Sequence, residues 1–354
     1  MKDWLGKKID KYSELSGYVK PDIHGGALKL DSNENFAIPK QLQADLLNAA
    51  RKNSDVREYP LGKIDKLAKS LSAHLKIPPY MIGIGNGSDQ ILDLIIANFA
   101  SKKKVLTSNP TFGFFEERCK LYCVPTIKIP FSKQMTLDAS EFIKRSKDAD
   151  ILYLDSPNNP TGFQFSKNNL EKITKNFDGL IIIDEAYGEF ANYSAVPWTK
   201  KLDNLIVIRT FSKSFGLAGL RLGYFIANKK FTEMFNRVIQ YPYPVSTISI
   251  ETGISALQKY PQVRESIQTI KKERSRIIKN LQSYDAFEVF DSEANFVLFD
   301  AKGADKRIHT ALIEQGISIR RIGRIGKHAG CLRVTVGTKE MNSKFLLAIR
   351  DLLG

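Results

Sequence analysis

Cysteine and histidine are scarce in this chain. Three cysteines, Cys119, Cys123 and Cys331, stand among 354 residues and form no CxxC pair. That usage excludes a disulfide-stapled scaffold and suits a reducing cytosol. The four histidines, His24, His74, His309 and His328, have no histidine or cysteine at metal-ligand spacing, so no metal site is expected. No apolar run approaches the roughly 18–20 residues that a membrane span needs. The opening "MKDWLGKKIDKY" carries no apolar signal core. Internal repeats, low-complexity stretches and long linkers are missing as well. These absences point to a soluble cytoplasmic protein without a membrane partner.

Acidic residues are outnumbered, 38 against 53 basic ones, giving a net charge of +15. The lysines are scattered, and Lys102-Lys103-Lys104 is the longest obvious run. A solvated basic surface follows, rather than a nucleic-acid footprint, with a phosphate-bearing ligand as the second reading. What is present in quantity is core material: 43% of residues are hydrophobic and 10% aromatic. This length suits two domains, or one large domain with a smaller partner.

Short β-branched runs alternate with helical stretches. "MIGIG" precedes "DQILDLIIANF", "KVLTS" precedes "FGFFEERCKLY", and "ILYLD" precedes "KNNLEKITKNF". Runs such as "LIIID" and "LIVI" are too continuously apolar for half-exposed strands. They fit a mainly parallel sheet with helices on both faces. The expected large α/β domain covers residues 37–245. Residues 1–36 and 246–354 are expected to form a smaller α+β domain, with the long polar helix around "VRESIQTIKKERSRIIKNLQSY" as connector. The first ~35 residues look too irregular to fold alone and are expected to pack on the small domain.

Four strand ends carry candidate chemistry. "GIGNGSD" (Gly83 to Asp89) ends a strand and opens a helix. It misses the GxGxxG pattern, so it reads either as a tight turn or as a phosphate-binding helix start. "SPNNPTG" (Ser156 to Gly162) is a proline-stiffened loop that either aims an amide at a ligand or satisfies its own asparagines. Asp184, in "IIIDEAYGEF", sits at the end of a buried strand; it either caps a following helix or meets a cation. Lys213, in "TFSKSFGLAGLRLGY", lies just past another buried strand, near the hydroxyls of Thr210 and Ser212 and the guanidinium of Arg221. A lysine in a low-dielectric cleft loses its proton readily and attacks carbonyls. Taken together, the set asks for a ligand with a phosphate, a ring cation and a carbonyl. Pyridoxal phosphate has all three, and its sites pair a Schiff-base lysine with an aspartate at the ring nitrogen.

At this point a resemblance carries further. "GSDQILDLI", "NPTFGFF", "SPNNPTG", "DEAY", "RTFSKSFGLAGLRLGY", "YPYPVST", "SEANFVLF" and "LRVTVGT" follow one another in order. The set resembles the fold-type I pyridoxal-phosphate aminotransferases over nearly the whole chain, and within them the histidinol-phosphate aminotransferases. The resemblance implies that Lys213 holds the cofactor and shuttles a proton, and that Asp184 pairs with the ring nitrogen. Asn159 and Tyr187 would bond the ring's 3-oxygen. Ser88, Asp89, Thr210, Ser212 and Arg221 would hold the phosphate. Phe112 would stack on the ring, where many relatives carry tyrosine. Tyr59 would reach the phosphate from the other subunit of a homodimer.

For the substrate, the resemblance implies Arg333 as the carboxylate clamp and Arg320 as a second one. Since Arg320 and Arg321 are adjacent, only one can face the cleft. Tyr18 and Asn33 would belong to a segment covering the site. The implied reaction moves an amino group from L-histidinol phosphate to 2-oxoglutarate. Open alternatives are an aromatic aminotransferase, a threonine-phosphate decarboxylase and a ligand-sensing regulator. The last would need more than ~35 residues ahead of the sheet domain for a DNA-binding unit.

Overall fold

The computed structural model describes residues 3–15, 17 and 27–354; Tyr18 and His24 lie outside the described residues. Helix α1 (Asp3–Ser13) and strand β1 (Leu28–Leu30) precede α2 (Lys40–Lys52) and α3 (Lys63–Leu75). An alternating stretch follows, with β2 (Ile82–Gly85), α4 (Gly87–Phe99), β3 (Val105–Asn109), α5 (Gly113–Leu121) and β4 (Thr126–Pro130). It continues with α6 (Ala139–Arg145), β5 (Ile151–Asp155), α7 (Lys167–Lys175), β6 (Leu180–Asp184), β7 (Leu205–Thr210) and β8 (Gly223–Ile226). Helices α8 (Lys229–Met234), α9 (Thr247–Gln258) and α10 (Tyr260–Leu281) lead to β9 (Glu288–Val289) and β10 (Phe296–Asp300). Helix α11 (Asp305–Glu314), β11 (Ile317–Ile325), β12 (His328–Thr335) and α12 (Lys339–Leu353) complete the chain.

One sheet has seven strands in the order β2-β8-β7-β6-β5-β3-β4. Its central strands are apolar on both sides because both sides are covered. In β6, Ile181 and Ile183 join one core cluster while Ile182 joins the other. The same alternation divides Leu205 and Val207 from Ile206 and Ile208 in β7. Period two places successive side chains on opposite faces, so a two-sided core needs a continuous apolar run. The pairings from β7 through β4 are all parallel. Only β8 runs the other way, antiparallel to both β7 and β2. Two reversals cancel, so β2 points the same way as β7. The C-terminal ends of β2, β3, β5, β6 and β7 therefore share one edge, where ligands of open α/β sheets bind.

The second sheet has five strands in the order β1-β11-β12-β10-β9. Strand β1 pairs parallel with β11, Leu28 opposite Ile317, and so attaches the early chain to this sheet. Helix α1 departs from the expected irregularity. It forms a regular helix with a Lys7–Asp3 ion pair one turn apart at 2.7 Å. Its Lys11 Nζ reaches Cys123 Sγ at 3.1 Å, beyond the end of α5 on the seven-stranded side. Among the described residues, no helix is long and apolar enough to cross a membrane.

Candidate active site

A cavity of about 430 Å³ opens over the shared strand edge. Lys213, Asp184, Tyr187, Asn159, Ser88, Asp89, Phe112, Thr210, Ser212, Arg221, Arg333, Arg320 and Asn33 all line it. Tyr59 does not: it is 69% exposed and stacks on Tyr243 at 4.3 Å between ring centroids.

The anion end is built from the start of α4. Asn86 supplies no side-chain cap there, so the first N–H groups of α4 keep their donor capacity. Gly87 has a φ of +77°, and a Cβ on it would fall 2.7 Å from Arg221 Nη2. A Cβ on Gly223, at the start of β8, would fall 2.4 Å from the backbone of Gly87 and Ser88. Both glycines are there to let the arginine and β8 close on the helix start. Arg221 is itself left-handed, at φ 50°, an uncommon conformation for an arginine. Its Nη2 donates to Asp89 Oδ2 at 2.8 Å and its Nη1 to Ser212 Oγ at 3.4 Å. Thr210 Oγ1 donates to Ser212 Oγ at 3.0 Å. The Thr210 and Ser212 hydroxyls gather at the guanidinium, and Ser88 lines the same cavity. The open N–H groups of the helix start, with Arg221 shared with Asp89, suit a dianion.

The carboxylate end lies two strands away. No helix follows Asp184; its Oδ1 accepts from Ala186 N at 3.0 Å within a turn, and Oδ2 accepts from Tyr153 Oη at 3.1 Å. Asp155 stands beside it in register on β5. Burial, reinforced by the Asp155 charge, pushes the Asp184 carboxyl up to about 7. Among the described residues, no lysine, arginine or histidine forms an ion pair with it. A buried carboxyl so placed is relieved either by a proton or by a cation that a ligand brings.

Asp155 is the residue that sequence reasoning missed. It also ends a buried strand, and the logic applied to Asp184 would have found it. Its Oδ1 accepts from Thr111 Oγ1 and Asn158 Nδ2, both at 2.9 Å, and Oδ2 from the Asn159 backbone N–H at 2.8 Å. Burial raises it to about 6 despite these donors. It thus shapes the loop that presents Asn159.

Between the two ends sits Lys213. Its Nζ donates to Ser32 O at 2.9 Å and lies 5.9 Å from the Tyr187 ring centroid. Burial, with help from the neighbouring Arg333 charge, lowers it from 10.5 to about 8. Tyr187 Oη accepts from Asn33 Nδ2 at 2.9 Å. Arg333 Nη1 donates to Asn159 Oδ1 and Nη2 to Asp31 O at 2.7 Å. With its Oδ1 engaged, the Asn159 amide is turned so that Nδ2 can donate to an acceptor in the cavity. Arg320 lies directly opposite Arg333 across the β11–β12 pairing and lines the same cavity. Arg321 points elsewhere and binds Asp305 at 2.5 Å.

Behind these groups lies a buried ionic network. Arg209 donates to Glu185 Oε2 at 2.7 Å and to Glu189 Oε1 at 2.9 Å. Glu189 in turn accepts from Ser214 Oγ at 2.9 Å. The network clamps the residues next to Asp184 and Lys213 onto one another. Arg209→Leu is expected to destabilise the protein by about 3–5 kcal/mol, because two buried carboxylates lose their cation. Urea unfolding checks this; an unchanged midpoint would remove the network from the stability account.

The family profile described as "Aminotransferase class I and II" matches residues 26–349. The chain belongs to this aminotransferase family. Among curated relatives, the histidinol-phosphate aminotransferase of Pyrococcus furiosus is 34% identical over 92% of this chain and 92% of its own. That of Thermoanaerobacter pseudethanolicus is 32% identical over 96% of this chain and 97% of its own. Among solved structures, the histidinol-phosphate aminotransferase of Clostridium acetobutylicum superimposes with a TM-score of 0.84 at 28% identity. It covers 91% of this chain and 98% of its own. The Sinorhizobium meliloti enzyme, solved with pyridoxal-5'-phosphate, shares the fold with a TM-score of 0.84 at 24% identity, over 95% and 96% of the two chains.

Aminotransferases of this family depend on pyridoxal phosphate. The residues of this aminotransferase fit that group. The unpaired carboxylate of Asp184 suits a protonated ring nitrogen, the α4 start with Arg221 suits the phosphate, and the lowered amine of Lys213 suits the aldehyde.

Proposed function

We propose that this aminotransferase converts L-histidinol phosphate and 2-oxoglutarate into imidazole-acetol phosphate and L-glutamate, a step of histidine biosynthesis. One observation carries the reading: Arg333 and Arg320 face one another in register on β11 and β12 and enter the cavity that holds Lys213. Both substrates bring anions, a phosphate ester on one and carboxylates on the other, and paired guanidinium forks match either. The names of the relatives support the same substrate.

Bound pyridoxal phosphate supplies an electron sink for the carbon that carries the amino group. The protein's own residues do the rest. Ser88, Thr210, Ser212 and Arg221 would hold the phosphate, with Asp89 contributing its N–H at the helix start and its carboxylate orienting Arg221. Asp184 would keep a proton on the ring nitrogen, Tyr187 and Asn159 would bind the 3-oxygen, and Phe112 would stack on the ring. Lys213 Nζ takes the proton from the amino-bearing carbon and later returns it, a role suited to an amine titrating at about 8. Asn33 holds the Tyr187 hydroxyl and brings the early chain over the site. Tyr59 and Tyr243 form an exposed aromatic pair away from their own cavity, which supports a homodimer in which Tyr59 completes the partner's phosphate site. Sedimentation at the mass of one chain would remove that proposal. A cytoplasmic setting accords with biosynthetic relatives.

The test is product formation. Purified holoenzyme should consume L-histidinol phosphate and yield glutamate only when 2-oxoglutarate is present. Turnover of L-phenylalanine with none of histidinol phosphate would move the protein to aromatic substrates. Carbon dioxide release from a phosphorylated amino acid would make it a decarboxylase. Arg333→Gln is expected to raise KM for both substrates by ~10- to 100-fold, with a smaller fall in kcat, since a charged hydrogen bond to each anion is lost. An unchanged KM for either substrate would place that anion elsewhere.

A further inference from the structure

In the five-stranded sheet, His328 opens the central strand β12 and is 3% exposed. Its ring packs edge-on against Phe290 at 4.9 Å. Its Nε2 lies 2.9 Å from Lys133 O, in the turn that follows β4. A carbonyl only accepts, so Nε2 carries a hydrogen. In the neutral ring, Nδ1 then presents a bare lone pair. That lone pair faces two carboxylate oxygens, Asp300 Oδ2 at 3.3 Å and Glu288 Oε2 at 3.4 Å. Three acceptors thus converge, and a positive charge must stand among them.

No lysine or arginine among the described residues forms an ion pair with Asp300 or Glu288. The other oxygen of Asp300 is already spent, accepting from the backbone N–H groups of Gly330 at 2.9 Å and Lys302 at 3.0 Å. Those bonds aim Oδ2 at the imidazole. The three ligand atoms all lie within 4.8 Å of one another. A tetrahedral zinc ion with bonds of about 2.0–2.1 Å has ligand–ligand edges of about 3.3–3.4 Å. The two edges at Nδ1 have that length. The Nε2–H bond to a backbone carbonyl is the outer contact that orients a metal-bound histidine.

We propose that Glu288, Asp300 and His328 form a binding site for a divalent cation of the zinc class, with nitrogen and oxygen ligands. Glu288 is 45% exposed at its side chain, which leaves the fourth position to water. The ligands are 12 and 28 residues apart and lie on three strands, so no spacing motif announces them. The bound ion would join β9, β10 and β12. Through the imidazole it would also fix the turn at Lys133, whose neighbour Met135 packs beside Phe290. It would act as a staple between the flank of the seven-stranded sheet and the five-stranded sheet.

The test is equilibrium dialysis of metal-stripped holoenzyme against Zn²⁺ at ~10 μM free metal, with bound metal counted by mass spectrometry. The expected result is one ion per chain and a Tm raised by a few degrees. Glu288→Gln, an exposed change remote from the catalytic cavity, should weaken binding at least ~tenfold and abolish the Tm shift while leaving transamination unchanged. His328→Gln, which can still donate to Lys133 O, should do the same. No stoichiometric binding by the unaltered protein would overturn the site and leave a proton on His328 as the charge among the acceptors. Equal binding by Glu288→Gln would overturn it too, by moving the ion elsewhere.

Discussion

Lys213→Ala is expected to lower turnover by at least ~10⁴-fold and leave the fold intact. The side chain does little for stability. Its amine makes one hydrogen bond, to Ser32 O, and lies in a cavity wall rather than in a packed core. Removing it costs roughly the net value of one such bond, about 1 kcal/mol. It also removes an unfavourable buried charge, since the amine is lowered from 10.5 to about 8. The sign follows from linkage. Between about 8 and 10.5 the unfolded chain binds the extra proton, so this group makes the cofactor-free protein gain stability as pH rises through that window. The variant should lack that gain. Chemistry has no substitute for the amine: among the described residues lining the cavity, Lys213 is the only one that carries an amine. Small added amines should restore a measurable fraction of the variant's rate, because the missing element is a base of the right strength. Turnover within tenfold of the unaltered enzyme would take Lys213 out of the mechanism.

Asp184→Asn is expected to separate stability from activity. In the cofactor-free protein the carboxyl is held at about 7, against 3.8 ordinarily, mainly by burial. The folded state therefore binds more protons than the unfolded state between these values. The group's stabilising contribution is complete below about 4 and is lost as pH rises through 7, at a cost of up to roughly 4 kcal/mol. Asparagine carries no charge and can still accept from Ala186 N. The cofactor-free variant should match or exceed the parent's Tm at pH 8 and lose the advantage at pH 5. Pyridoxal phosphate should reverse the order at pH 8, because only the carboxylate gains a cationic partner. Turnover should fall ~10²- to 10³-fold, as when a fixed charge is removed from a reacting centre. Thermal unfolding at both pH values, with and without cofactor, reads all of this. A variant that keeps the parent's cofactor-induced shift would break the pairing.

The strands that were legible in the amino-acid sequence are those covered on both faces, since "LIIID" and "LIVI" have no alternative home. The groups at their ends were legible for the same reason: Asp184 and Lys213 are polar residues where an apolar strand stops. Strand β1 was not, because Leu28–Leu30 become a strand only by pairing with Ile317–Ile319, almost the whole chain away. The reversal of β8 was hidden too; "LGYFIA" reads the same in either direction. Helix α1 has an amphipathic pattern that passed for irregular chain beside the lysines around it. Arg209 was invisible because its partners Glu185 and Glu189 lie on another strand's loop. Asp155 was within reach: burial raises both carboxyls, and the Asp155 charge adds to the rise at Asp184. The grouping of Glu288, Asp300 and His328 arises from three strands meeting, which no linear spacing encodes.

The division of the cavity between two sheets has a consequence for inheritance. Every group proposed to hold the cofactor within a subunit rides on strand ends of the seven-stranded sheet, whereas Arg320 and Arg333 ride on β11 and β12 of the other. A duplicated gene could therefore accumulate changes in the second sheet, short of the Arg333 that orients Asn159, trading one clientele for another while its inherited chemistry stayed whole. Descendants would diverge in what they accept long before they diverged in what they do to it.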